Sequence, residues 1–272
     1  MLAPLSLFIT GFLCAVVQAA TVSLSDSAPK QGQTVEVTLT GAQGDQPPGI
    51  KFDGNDYRFF LAPSAGTYRA LLGIPADLEP GIYKMQVGEQ TVPVHVGIGR
   101  FPLQHLRLPP GKDNFNMSPG EKEAVEGAKQ TCSPVRLWSG NFVRPSKFRT
   151  STLFGVKRVV NGHMLKDYFH SGLDFAAPAG APVAATAPGT VIMTGHGFKL
   201  HGNCVAVDHG QGVVSIYIHL KSISVKKGQQ VKAGETLGQV GQTGRANGPH
   251  LHFSIYVNQV ATNPTDWFQK AF

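Results

Sequence analysis

The feature that most restricts the fold is the way apolar residues are rationed along the chain. They come in short runs that alternate with polar residues, and Gly, Pro, Asn or Asp cuts each run before a long helix could form. With 32 glycines and 19 prolines in 272 residues, and charged residues at only 15%, short strands joined by turns are favoured over helices. Thr21-Val-Ser-Leu-Ser25, Thr34-Val-Glu-Val-Thr-Leu39, Tyr68-Arg-Ala-Leu-Leu72, Gly81-Ile-Tyr-Lys-Met-Gln-Val87 and Thr91-Val-Pro-Val-His-Val96 each read as a strand with one buried face. Pro93 cannot donate to a neighbouring strand, which puts the last of them at a sheet edge. A mostly β chain is therefore expected, and residues 21–98 read as an immunoglobulin-like β-sandwich.

Residues 1–20 are an apolar run ending in small residues, read as a secretory signal with a cleavage site at Val17-Gln18-Ala19 and a mature start near Ala20 or Thr21. No Lys or Arg precedes the run, so retention as an uncleaved anchor stays open. Cys14 follows Leu13 where lipid attachment needs a small residue, and is read as signal filling. No later stretch is long and apolar enough to span a bilayer. Residues 99–135 read as a linker: Leu108-Pro-Pro-Gly111 favours extended chain, and Ser118-Pro-Gly-Glu121 supplies an N-cap, a proline at the first helical position and a capping-box acid for one helix ending at Lys129. Residues 136–272 read as a second β domain, with strands expected at 190–194, 205–208, 213–220 and 251–257 and a hairpin turn at Asn161-Gly162.

The chemistry is concentrated in that second domain. In Asn247-Gly-Pro-His-Leu-His-Phe-Ser-Ile-Tyr256 an extended strand sends alternate side chains to one face, so His250 and His252 can present two imidazoles to one point. Phe169-His-Ser-Gly-Leu-Asp-Phe175 adds the nitrogen of His170 and the carboxylate of Asp174. Two His and one acid leave a zinc ion an open position for water. A bare H-x-H carries little by itself, since a lone His near a strand end is usually just hydrogen-bonded.

The set His170-Ser-Gly-Leu-Asp174, Tyr217-Ile-His219-Leu220 and Gly244-Arg-Ala-Asn-Gly-Pro-His-Leu-His252 occurs in this order, with Phe154-Gly-Val-Lys-Arg158, Ala185-Thr-Ala-Pro-Gly189, Gly202-Asn203 and Asp208-His-Gly210 around it. Over residues 154–267 it resembles the lysostaphin-type (LytM-like) zinc endopeptidases of peptidoglycan. The resemblance implies a C-terminal antiparallel β-sheet metallopeptidase domain that binds Zn2+ through His170, Asp174 and His252. It also implies that His219 and His250 stand beside the metal as catalytic groups, with Tyr217 either a hydroxyl donor or a plain strand aromatic. His163, His196 and His201 are read as exposed or substrate-adjacent, and His209 as structural.

From Arg136 onward fourteen Lys and Arg face five Asp and Glu, within an overall net charge of +7. A basic face attracts wall polymer, DNA or acidic membrane alike, so charge alone does not select a partner. The resemblance implies peptidoglycan as the substrate and no nucleic acid, in the periplasm or cell envelope, with an envelope protein as a possible partner of the N-terminal domain. Two other classes are weighed: a wall-binding or amidase-activating protein of the same fold, and a lipoyl- or biotin-carrier sheet suggested by Ser224–Val240, where no lysine stands out for modification. Beyond the signal, Cys132 and Cys204 either form one disulfide, which needs Cα atoms within about 7 Å, or Cys204 is a small buried strand residue.

Overall fold

A computed structural model of the chain describes residues 20–42, 46–107, 115–166 and 168–272. The expected signal segment up to residue 19, with Cys14, and the Leu108–Gly111 stretch lie outside the described residues.

The N-terminal part holds β1 (Thr21–Leu24), β2 (Thr34–Thr40), β3 (Ile50–Phe52), β4 (Asn55–Tyr57), β5 (Phe60–Leu61), β6 (Thr67–Gly73), β7 (Gly81–Val87) and β8 (Gln90–Val96). They form two four-stranded antiparallel sheets, ordered β1-β2-β6-β5 and β4-β3-β7-β8. Val35, Val37 and Leu39, at the period of two that a strand gives one face, meet Ile50, Phe52, Met85 and Val94 of the other sheet in one buried core. The result is a β-sandwich, and β8 with its Pro93 is an edge strand as expected. Three of the eight strands are only two or three residues long and show no alternation of their own.

After these come β9 (Leu103–Leu106), α1 (Glu121–Lys129), β10 (Thr150–Thr152), β11 (Lys157–Val160), β12 (His163–Met164), β13 (Leu173–Phe175) and β14 (Pro182–Ala184). The longer strands β15 (Gly189–Phe198), β16 (Gly202–Gly210) and β17 (Val213–Ile223) precede β18 (Gln230–Val231), β19 (Thr236–Val240), β20 (Leu251–Val257), β21 (Val260–Thr262) and a closing helix α2 (Pro264–Gln269). One large sheet runs β10-β13-β20-β17-β16-β15-β18. In β20, Leu251, Phe253 and Ile255 are fully buried on the core side, which leaves His252, Ser254 and Tyr256 on the face that borders a cavity of about 450 Å³.

The linker is more structured than its sequence implied. β9 pairs in parallel with β11, which also forms the expected Asn161-Gly162 hairpin with β12. Helix α1 ends at Lys129 as expected, but Ser118 is not its N-cap. Gly120 holds that position in a left-handed conformation, and the capping box is half formed: Glu121 accepts the Ser118 N–H at 2.8 Å, while the Ser118 hydroxyl donates to the same carboxylate instead of capping an amide. Val125 and Ala128 of α1 sit in the C-terminal core, so the helix is packed on that domain. The sandwich meets the same domain through Asn258 Nδ2, which donates to Leu71 O at 2.9 Å, and through Arg69, which donates to Gln211 Oε1 at 3.2 Å.

Cys132 and Cys204 are both free. Cys204 is buried in β16 as the small strand residue and is not half of a disulfide, and burial pushes its thiol up to about 12.

Candidate metal centre

β13 and β20 are antiparallel neighbours with Asp174 opposite His252, a register that sets carboxylate and imidazole side by side. Gly172 permits this approach: a Cβ there would lie 2.1 Å from Phe253 O. His170 enters from the turn before β13. Its Nε2 is 2.9 Å from Asp174 Oδ1 and 2.9 Å from His252 Nδ1, and His252 Nδ1 is 2.9 Å from Asp174 Oδ1. The three side chains are largely withdrawn from solvent.

The remaining ring nitrogens decide what this triangle is. His170 Nδ1 lies 2.8 Å from the Leu153 carbonyl, which can only accept, so Nδ1 carries the proton and Nε2 of the neutral ring is a lone pair. His252 Nε2 lies 2.8 Å from the Ser254 hydroxyl; with Nε2–H donating there, Nδ1 is likewise a lone pair. Burial lowers His252 to about 4, so the neutral form prevails near neutral pH. Burial works against the charge on Asp174, but an imidazole proton shared with His170 or His252 in the absence of a cation outweighs it and holds the carboxyl well below the usual carboxylate range. In the tautomers that Leu153 O and Ser254 Oγ favour, the three facing atoms are all acceptors, which repel one another unless a cation takes the place of the shared proton. A divalent ion bonded at about 2.0–2.1 Å to tetrahedral ligands separates those ligands by roughly 3.3 Å, which the observed triangle approaches with small adjustment. Among the described residues this is the group of His, Cys, Asp and Glu side chains with metal-holding geometry.

His219 and His250 flank the triangle, their rings 4.7 Å apart, with His250 Nε2 4.0 Å from Asp174 Oδ1. Strict alternation along β17 would send His219 to the core side with Tyr217, since Ile216 and Ile218 face the cavity. A β-bulge intervenes: the pairing of β16 with β17 slips between Asn203/Leu220 and Val205/Tyr217, and His219 takes φ +66°, which turns its side chain into the cavity. Its Nδ1 donates to the Thr243 carbonyl at 2.9 Å, and the His250 Nδ1 donates to the Gly248 carbonyl at 2.9 Å. Both rings thus offer a bare Nε2. Burial, then the neighbouring His250 and His252 charges, lower His219 to about 3.

Tyr217 is not part of this site. Fully buried on the opposite face, its hydroxyl accepts the Thr186 N–H at 2.8 Å and meets the Ser215 hydroxyl at 3.0 Å, away from the cavity, which makes it the strand aromatic and not a hydroxyl donor to the site. His209 closes the same buried network on Ser215 at 2.8 Å and is structural as expected. His163 and His196 are exposed, whereas His201 borders the cavity. Sequence reasoning missed Ser254, although its place two residues from His252 on one strand face was a usable signal. It also missed the carbonyls of Leu153, Thr243 and Gly248, which carry none.

Comparison with known proteins gives consistent matches. The sequence pattern of peptidase family M23 matches residues 168–264, which contain all five of these His and Asp side chains. A crystal structure from Pseudomonas aeruginosa assigned to peptidase M23 is 31% identical, with a TM-score of 0.65 over 90% of this chain and 96% of that one. Peptidoglycan DD-endopeptidase ShyA of Vibrio cholerae is 42% identical over 114 residues, 41% of this chain and 26% of ShyA. DD-carboxypeptidase/endopeptidase Mpg of Neisseria meningitidis is 43% identical over 95 residues, 35% of this chain and 22% of Mpg. The matches span about a quarter of the length of these curated relatives.

Proposed function

Because the chain belongs to peptidase family M23, we propose that it is a zinc endopeptidase that hydrolyses amide bonds in the peptides of peptidoglycan, with His170, Asp174 and His252 holding the metal. The observation that carries this reading is the triangle of His170 Nε2, Asp174 Oδ1 and His252 Nδ1 at mutual distances of 2.9 Å. The DD-endopeptidase name of the Vibrio cholerae relative supports a D,D-peptide bond as the target.

When bound, zinc supplies Lewis-acid polarisation of the scissile carbonyl and a water acidic near neutral pH. The chain's own part is proton handling. His250 and His219 each fix Nδ1–H on a carbonyl and turn a bare Nε2 toward the cavity, so either can take the proton of the attacking water and return it to the departing amine. Leu153 O and Ser254 Oγ hold the two metal-binding imidazoles in the tautomers that ligate. The cavity of about 450 Å³ beside these groups is assigned to the peptide chain of the substrate. The N-terminal sandwich, residues 21–98, carries none of the donors and is assigned to positioning the second domain or to contact with wall or an envelope partner. Action on wall peptide also implies an envelope location; among the described residues no helix is long and apolar enough to cross a membrane.

The test is a zinc assay paired with digestion of purified peptidoglycan. About one zinc per chain and the release of new amino and carboxyl termini are expected. Stoichiometric zinc with intact wall would instead favour a non-hydrolytic, activating protein.

A further inference from the structure

Glu121 is a fully buried carboxylate in the linker helix, outside the 168–264 match, and nothing in the chemistry above uses it. Its Oε1 accepts the backbone N–H of Leu200 at 3.0 Å, the N–H of His201 at 2.9 Å and His201 Nδ1–H at 2.8 Å. Its Oε2 accepts Lys199 N–H at 2.9 Å, and Ser118 N–H and O–H at 2.8 and 2.7 Å. Three successive amides aimed at one anion make a nest, and the carboxylate holds the loop 199–201 in that shape. Burial opposes the charge, but the donors from Ser118 and His201 override it and bring Glu121 down to about 2.

That loop supports His219 from two sides. The His201 carbonyl accepts the His219 backbone N–H at 3.0 Å, beside the residue whose φ of +66° re-aims the imidazole. The Leu200 carbonyl accepts Arg245 N–H at 3.0 Å, and Thr243 Oγ1 accepts Asn203 N–H at 2.9 Å, so the loop also carries the 243–245 segment. The Thr243 carbonyl in that segment is the acceptor that orients the His219 ring. Gly202 packs so tightly on Thr243 that a Cβ would lie 2.3 Å from Thr243 Oγ1, which leaves little slack between loop and segment.

We infer that Glu121 is a positioning residue for the proton carrier His219, acting through the backbone of residues 199–202. The linker helix is then a working part of the catalytic domain. The inference rests on the endopeptidase reading for its effect on turnover, but not for its effect on the ring.

Glu121→Gln keeps the shape and turns one oxygen into a donor facing donors; Glu121→Asp keeps the charge and shortens the reach by one methylene. Each should retain one zinc per chain and a KM within about threefold of wild type, while kcat falls on the order of 10- to 100-fold, the scale of a displaced catalytic group. Ala128→Gly, in the same helix but away from the carboxylate, serves as control and should lose stability without loss of kcat. In zinc-free protein the His219 Nδ1–H resonance, assigned by nitrogen-resolved NMR, should shift or broaden in both Glu121 variants and stay put in the control. This readout needs no substrate. If wild-type protein cuts no wall peptide but the resonance moves, the endopeptidase reading fails and the positioning survives. If either Glu121 variant is folded with unchanged kcat and an unmoved resonance, the inference is overturned; should Glu121→Gln misfold, Glu121→Asp alone decides it.

Discussion

Tyr217→Phe tests whether the face assignment of β17 is right. The change deletes one oxygen in a fully buried network and leaves the ring, with its packing against Phe253 at 5.1 Å, in place. The Ser215 hydroxyl keeps its contact with His209 at 2.8 Å, so it is not stranded. The Thr186 N–H does lose its acceptor in a site closed to water, and an orphaned buried donor costs roughly 1–3 kcal/mol. Urea unfolding should therefore show a lower midpoint at unchanged slope, equivalent to about that loss. Wall digestion by the folded variant should stay within about twofold of wild type, because the hydroxyl faces away from the His219 and His250 side. A tenfold or greater loss of turnover with unchanged stability would refute this, by placing the hydroxyl in the chemistry.

Three further outcomes are expected. His209 is buried and held at about 4 against an ordinary 6.5, so below 6.5 the unfolded chain binds the proton and the folded chain does not. Its contribution is complete above about 6.5 and is lost as pH falls toward 4, ~3 kcal/mol in all; His209→Gln should flatten the stability profile measured by urea unfolding across that window. Gly172→Ala drives a Cβ against Phe253 O and should both destabilise by at least roughly 1–3 kcal/mol and lower zinc per chain, read by metal analysis on folded protein. A fragment beginning at Phe115 should melt above one beginning at Arg136, because the shorter one lacks buried Val125, Ala128 and Glu121; equal melting temperatures would mean the helix is a loose tether.

The long strands were legible because each places several apolar residues on one face, as Val35, Val37 and Leu39 do in β2. The short ones were not, although Asp53-Gly54, both at positive φ between β3 and β4, is a hairpin signal that could have been used. β9 was invisible because its pairing with β11 joins residues far apart in the chain, and parallel pairing leaves no local turn to read. Spacing alone brought His250 and His252 to one face, and only the family resemblance separated ligand from neighbour. The same resemblance pointed to His219, whose place depends on a bulge that periodicity would have read the other way. Glu121 was seen as a capping acid, which is half of its role. Its other donors lie 78 to 80 residues later and no local pattern announces them.

The central claim is the division between metal ligands and proton carriers, and it is measured by zinc-to-protein ratio and wall digestion on five purified variants with circular dichroism as the fold check. His170→Ala, Asp174→Ala and His252→Ala each remove one of three protein bonds to the metal, so zinc and activity should fall together. His219→Ala and His250→Ala should keep zinc while turnover drops ~100-fold or more. Loss of zinc from His250→Ala together with its retention by His252→Ala would contradict the assignment of the β20 histidines.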